Sequence, residues 1–367
     1  MKRKQKRFVC GMTAAALLFM LAGCGEPSEP KETSGTGDFS GQTLTVANWQ
    51  SYGTDADYGA AQFEDMYGCK VEHYFISSVP ELMQTLLNGG MDEIDVICIN
   101  PVYIQKYYQN GVIEAIDTSG LENYGDLRTD LTEIDDVKDP EGNVLGVPWI
   151  WGTTSLFYNA DVVKEDITSW SALWDEQYAG KVGFFDDHES AIKVAAMKLG
   201  QDPYNPDMDA VEESLVQLKP NVKTYWGTYD DFVKAYTAGD IVIGNVWGSI
   251  ATQLKAEGYN IQYVYPEEGT VGWADYWCLV SGSAEKELAL KWIDFCTGAD
   301  FQNGLATDGN QAYAPANQKV LDSLSDDVKK GLWIYPDAPD NMYLSLQMSS
   351  DTLTEWINLW TNVKASA

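Results

Sequence analysis

Carboxylates and large aromatic rings recur at the ends of apolar runs in this chain, and that pairing of residue types has a definite chemistry. Trp49-Gln50-Ser51-Tyr52 follows the run from Leu44, Asn100 ends Asp95–Asn100, Asp186-Asp187 closes the run from Lys181, and Trp247 closes Ile241–Trp247. Trp273 and Asp275 stand two apart within Val271–Val280, so an extended backbone puts both on one face. Indole and phenol faces cover methylenes and attract cations, while carboxylates accept charge-assisted hydrogen bonds from nitrogen. The set suits an aliphatic solute with ammonium ends. Each residue also has an ordinary structural use. A single Trp among thirteen packs a core, and an Asp ahead of a helix caps it. Asp275 is harder to absorb that way, because an unpaired carboxylate in an apolar run is costly to bury.

The elements that must position these residues follow from periodicity. Leu44–Trp49, Lys70–Ile76 and Asp95–Asn100 are expected strands, with helices Asp57–Tyr67 and Pro80–Leu87 between them, the second started by Ser78 and Pro80 and stopped by Gly89. A second series runs strand Lys181–Asp187, helices Glu189–Leu199, Ala210–Leu218 and Tyr229–Ala238, then strand Ile241–Trp247. Two βα series imply two α/β lobes of largely parallel sheet. Leu145–Tyr158 and Val271–Val280 are long apolar extended runs that can cross between lobes. The carboxyl ends of such strands are where open sheets bind ligands, and the candidate residues sit there. Asp351–Lys364 carries Leu353, Trp356, Ile357 and Trp360 at helical spacing, which predicts a helix packed on the core.

The 367 residues are 45% hydrophobic and 12% aromatic, a globular composition of two-domain size, with 24 Lys+Arg against 55 Asp+Glu and a formal charge of −31. Such an acidic balance argues against a nucleic-acid partner and admits a cationic one. Two histidines, His73 and His188, are too few for a His-rich metal site or a conventional triad, and no Gly-x-Ser-x-Gly, Walker-type or Cys-x-x-Cys motif is present. Asp55-Ala-Asp57-Tyr-Gly59 starts like a calcium loop but lacks its later ligands. No catalytic residue, metal or cofactor is expected. The acid pair Asp187 and Asp275 keeps a secreted glycoside hydrolase as the opposing class, since such enzymes need only two carboxyls.

Residues 1–23 have the form of a signal peptide: Lys2, Arg3, Lys4, Lys6 and Arg7, an apolar stretch Phe8–Leu21, and small residues before Cys24. Leu21-Ala22-Gly23-Cys24 resembles the bacterial lipoprotein cleavage box, which makes Cys24 the expected lipidation site. Residues 24–41 are rich in Glu, Pro, Ser, Thr and Gly, the composition of a flexible tether. Cys69, Cys98, Cys278 and Cys296 match no zinc spacing, and buried thiols or one disulfide both remain open.

Several segments in one order carry a family likeness: Ala47-Asn48-Trp49-Gln50-Ser51-Tyr52, Val147-Pro148-Trp149-Ile150-Trp151-Gly152, Thr168-Ser169-Trp170-Ser171-Ala172-Leu173-Trp174, Phe185-Asp186-Asp187 and Trp273-Ala274-Asp275. From Leu44 to the C-terminus the chain resembles the substrate-binding lipoproteins of bacterial polyamine ABC transporters, the spermidine/putrescine-binding family. The resemblance implies a two-lobed periplasmic-binding-protein-like α/β fold of type II, mostly parallel sheets flanked by helices with a cleft between lobes. Lobe 1 is expected to comprise 42–151 plus about 275–322, and lobe 2 about 152–274 plus 323–367.

It further implies a monomeric, non-enzymatic receptor that is lipid-anchored outside the cytoplasm, in a periplasm or on the outer face of a single-membrane cell. That receptor would deliver a polyamine to an ABC permease; another amine or a quaternary ammonium solute is the alternative within the class. The family's ligand positions fall on Trp49, Gln50, Tyr52, Asn100, Asp187, Trp247, Trp273, Asp275, Tyr313 in Ala312-Tyr313-Ala314-Pro315, and Gln347. Two positions depart from the pattern. Ser190 stands where a further acid is expected three residues after Asp187, and Val102 where an aromatic follows the third strand. Tyr103 is adjacent, but strand alternation would turn it away if the segment were extended.

Overall fold

Phe39 is packed into the fold. Its backbone N–H donates to the Tyr67 carbonyl at 3.1 Å and its buried ring meets Tyr67 edge-on, 6.0 Å between centroids. Phe39 falls within the segment expected to be tether, yet it is packed structure. The computed structural model describes residues 39–50, 52–308, 313–334 and 341–366. The expected signal peptide, Cys24 and the tether up to residue 38 lie outside the described residues, as do Ser51 and Ala312.

The chain begins with β1 (Thr43–Asn48), α1 (Gln62–Tyr67), β2 (Lys70–Phe75), α2 (Val79–Leu87), β3 (Val96–Ile99), α3 (Pro101–Gln109), β4 (Ile113–Glu114) and α4 (Thr129–Thr132). The long β5 (Val147–Asn159) leads into β6 (Val182–Phe185), α5 (His188–Lys198), α6 (Met208–Leu218), β7 (Val222–Trp226), α7 (Tyr229–Thr237), β8 (Ile243–Trp247), α8 (Gly248–Ala256) and β9 (Ile261–Val264). After β10 (Thr270–Val280) come α9 (Lys286–Thr297), α10 (Ala299–Thr307), β11 (Ala314–Pro315), α11 (Gln318–Ser323), α12 (Asp326–Gly331), β12 (Met342–Leu344) and α13 (Ser350–Ala365). Local signals explain the starts. Ser78 Oγ accepts from the Glu81 N–H at 3.3 Å with Pro80 in the first turn of α2, and Ser349 Oγ accepts from Thr352 N–H at 3.1 Å ahead of α13.

The two expected sheets are joined. Strand order is β2-β1-β3-β10-β5-β8-β6-β7, with β4 and β12 paired to β10 and β9 and β11 paired to β5. The β2-β1-β3 and β8-β6-β7 groups are parallel, as the βα pattern requires, whereas β10 and β5 run antiparallel to each other and to their flanking strands. Each crossing strand serves both halves: β5 pairs β10 through Val147–Thr154 and β8 through Thr154–Tyr158. Leu156 and Phe157, adjacent on β5, enter different cores on opposite faces, as a period of two dictates.

One core holds Leu44, Phe63, Trp149, Trp277, Trp292 and Phe301, a second Leu156, Trp170, Phe184, Ile192 and Trp360, and a third Phe157, Trp226, Phe232 and Tyr263. Burying each such side chain contributes about 1.5–3 kcal/mol. The α13 stripe is offset from expectation. Trp356, Leu359, Trp360 and Val363 are buried, but Leu353 and Ile357 are exposed, because the inward face follows the 356, 359/360, 363 spacing. The open question over the cysteines resolves to four buried free thiols, with Trp149 Nε1 donating to Cys98 Sγ at 3.3 Å.

Candidate functional site

Asn48 ends β1 fully buried, and its side-chain amide donates to Thr54 Oγ1 at 2.7 Å and to the Trp49 carbonyl at 3.2 Å. Those bonds fix the turn that follows and aim Tyr52 at β10, where its hydroxyl donates to Asp275 Oδ2. Tyr52 packs 5.3 Å from the Tyr313 ring and 5.7 Å from Trp149, and Tyr313 lies 6.2 Å from Trp273. Trp273 and Asp275 share a face of β10 as their spacing predicts. The Trp273 indole lies against Gly152 of β5, its register partner; a Cβ there would meet Cζ2 at 2.4 Å. Tyr52, Trp273, Asp275 and Tyr313 thus form one contiguous group.

Asp275 is 5% exposed, and burial pushes its carboxyl up to about 6, opposed only by the Tyr52 hydrogen bond. The same burial and the neighbouring Asp275 charge raise the Tyr52 phenol strongly and the Tyr313 phenol to about 12. One residue past the Ile99–Tyr276 pair of β3 and β10, the next positions along the strands are Asn100 and Asp275. The Asn100 Oδ1 is buried with no hydrogen-bond partner among the described residues.

A second group gathers at the end of β6. Asp187 caps α5, its Oδ1 accepting from the Ser190 N–H at 2.7 Å, and burial raises its carboxyl despite that bond. His188 Nδ1 lies 3.9 Å from Asp187 Oδ2. Trp247 packs 5.2 Å from both Phe185 and Trp226. Asn245 ties the group together: its Oδ1 accepts from Phe185 N–H at 2.8 Å and its Nδ2 donates to Ser190 Oγ at 3.2 Å. Asp187 is therefore a helix cap, partly exposed at its side chain. Asp186 is taken up elsewhere, by Trp360 Nε1 at 2.8 Å and the Lys364 ammonium.

The remaining expected residues divide. Trp49 is half-buried against the first core, and Gln50 is exposed. Gln347 is exposed, and its backbone N–H donates to Asp136 Oδ2 at 2.8 Å; no side-chain hydrogen bond takes it to either group among the described residues. Tyr103 corrects an expectation. The chain past Asn100 is helical, not extended, so strand alternation does not govern it, and Tyr103 lies within electrostatic reach of Asp187 and Glu189. The Asn100-Pro101 sequence, a cap residue before a first-turn proline, was the signal for that helix.

A recess of about 30 Å³ lies beside the Trp273 and Tyr313 rings, lined also by Thr153, Tyr265 and Thr252. That holds about one water and is too small for an organic solute. A groove of about 340 Å³ lies away from both groups, between the end of β2 and α2, where the acid is Glu81, bonded to Ser77.

The family model for bacterial extracellular solute-binding proteins matches residues 60–333. The spermidine/putrescine-binding periplasmic protein of Escherichia coli is 29% identical over 300 residues, covering 81% of this chain and 84% of the relative. The putrescine-binding periplasmic protein PotF of the same organism is 24% identical and covers 98% of each chain. Among solved structures, the spermidine/putrescine substrate-binding protein PotD of Streptococcus pneumoniae superposes with a TM-score of 0.79 at 20% identity, covering 88% of this chain and 99% of that one, and shares the two-lobed fold. With that coverage, the chain belongs to the bacterial extracellular solute-binding protein family, a non-enzymatic component of transport, and the two Escherichia coli relatives named above are polyamine-binding periplasmic proteins.

Proposed function

We propose that the protein captures a small polyamine, putrescine or spermidine, outside the cytoplasm and delivers it to an ABC permease, held at the membrane by a lipid on Cys24. The observation that carries this is Asp275: a carboxylate 5% exposed, touching no cation of its own among the described residues and surrounded by Tyr52, Tyr313 and Trp273. A buried negative charge ringed by aromatic faces is a seat for an organic ammonium. Asp187, within electrostatic reach of Tyr103 and two residues after Phe185, whose ring packs on Trp247, supplies an acid for the other end. Trp49, Gln50, Asn100 and Gln347 complete the proposed contacts.

The mechanism is capture by closure. We assign 42–151 with about 275–322 to one lobe and about 152–274 with 323–367 to the other, hinged at β5 and β10. A diamine that touches Asp275 and Asp187 at once binds the closed state better than the open one, and that difference drives closure. Calorimetric titration of the protein from Phe39 onward with putrescine, spermidine, spermine and choline, with arginine as control, tests the function. One-to-one binding of a polyamine is expected; heat from choline alone would assign a quaternary ammonium solute, and no heat from any would refute an amine ligand. Small-angle scattering on the saturated protein should give a smaller radius of gyration.

Two further results are expected from the same titration. Below pH 6 the affinity should fall by about tenfold per unit, because Asp275 takes up a proton there while aliphatic amines remain charged. An affinity that is flat between pH 8 and 5 would remove Asp275 from the site. Gly152→Ala should weaken binding by about 2- to 30-fold, the range of one cation–π contact, by pushing the Trp273 indole off its seat. Unaltered affinity in that variant would take Trp273 out of the ligand's reach.

A further inference from the structure

Lys193 lies midway along α5 with its side chain wholly buried. Its ammonium donates to Glu189 Oε1 at 2.7 Å and to the Leu344 carbonyl at 2.6 Å, and it stands 4.8 Å from the centroid of the Tyr204 ring. A carboxylate, a carbonyl and an aromatic face are the contacts that hold an organic ammonium. Lysine is buried this completely only when such partners are in place. The chain has thus built a cation site and filled it with its own side chain.

That site adjoins the Asp187 group. Glu189 is two residues from Asp187 on the first turn of α5, and both carboxylates lie within electrostatic reach of Tyr103. A second acid near Asp187 is therefore present, but as Glu189 and neutralised by Lys193. Ser190 adds no charge; its hydroxyl is tied to Asn245. We propose that Lys193 is a tethered ammonium occupying the subsite that the additional cation of a longer polyamine would need, and so sets selectivity for a diamine. This rests on the amine-receptor function proposed above. With Lys193 in place, the Asp187 end offers one uncompensated negative charge, which suits one ammonium. Without it, a buried carboxylate, a carbonyl and a ring surround a void the size of an aminobutyl chain.

The test compares the wild-type protein with K193A and E189Q/K193A, using putrescine, spermidine and n-butylamine. The wild type should bind putrescine more tightly than spermidine, K193A should raise the spermidine-to-putrescine affinity ratio by at least about tenfold, and E189Q/K193A should lose that gain. Millimolar n-butylamine should raise the Tm of K193A by more than it raises that of the wild type. A wild-type preference for spermidine, or a K193A ratio equal to the wild type's, overturns the proposal. Should the wild type bind neither polyamine, the protein is not a polyamine receptor, and the butylamine shift alone then decides the subsite: its absence in K193A overturns it. If K193A does not fold in amine-free buffer, refolding in butylamine replaces the Tm measurement; recovery supports the subsite and failure overturns it.

Discussion

Asp275→Asn will lose at least about thirtyfold in polyamine affinity and, in the same protein without ligand, gain stability at neutral pH. The loss follows from removing one partner of a buried, hydrogen-bonded charge pair, which costs about 2–5 kcal/mol. The gain follows from the ligand-free state. Burial raises the Asp275 carboxyl from 3.8 to about 6, so above pH 6 the folded protein carries a charge that the unfolded chain would carry more cheaply. At 1.4 kcal/mol per unit the cost is roughly 3 kcal/mol. Its sign fixes the pH window: because the folded value is the higher one, this group's penalty is fully present above pH 6 and disappears as pH falls toward 3.8. Asn is neutral throughout and keeps an oxygen to accept from the Tyr52 hydroxyl. Thermal melts of wild type and variant at pH 8 and pH 5 check it. The variant should melt higher at pH 8, and the difference should shrink at pH 5. A variant that melts lower at both, or binds amine as the wild type does, would show that Asp275 is ordinary core structure.

Much of this was legible in the chain because it is local. Most strands and helices in both βα series fall within a residue or two of their expected bounds, though α1 begins at Gln62 where a helix from Asp57 was expected and β7 was not foreseen, and the shared face of Trp273 and Asp275 needed only a period of two. What was not legible depends on which distant segments meet. The crossing strands β5 and β10 pair with each other and merge two expected sheets into one, a matter of register that periodicity does not encode. Tyr52 reaches Asp275 across 223 positions, so an aromatic wall residue proves also to be the carboxylate's hydrogen-bond donor. The Glu189–Lys193 pair misleads in the opposite sense. An i, i+4 pair of opposite charges is ordinarily a surface feature, whereas this one lies on the buried part of α5. Pro101 was present in the sequence as a first-turn helix residue, and the helix it starts carries Tyr103 within electrostatic reach of the acids.

Gly244→Ala will cost about 3 kcal/mol or more of stability and take the Asp187 end of the site with it. Gly244 is on β8 with φ of 156°, paired with Gly183 of β6 and Phe157 of β5. A Cβ on it would stand 1.8 Å from the Gly183 carbonyl oxygen and 3.0 Å from Phe157 Cε1. Backbone cannot swing aside as a side-chain tip can, so β6 and β8 must separate. Their pairing, Val182 with Ile243 and Gly183 with Gly244, is what attaches β6 and β7 to the sheet. Losing it unseats Phe184 from the second core and Trp226 from the third, and displaces Asp187 just past β6 and Trp247 at the end of β8. Gly183→Ala supplies the contrast. Its Cβ would meet Ile241 Cδ1 at 2.5 Å, the mobile end of a side chain that can rotate, so it should cost about 1 kcal/mol. Urea denaturation of the two variants separates the cases: a midpoint for Gly244→Ala equal to or above that of Gly183→Ala would mean that strand separation is not what the close backbone approach prevents.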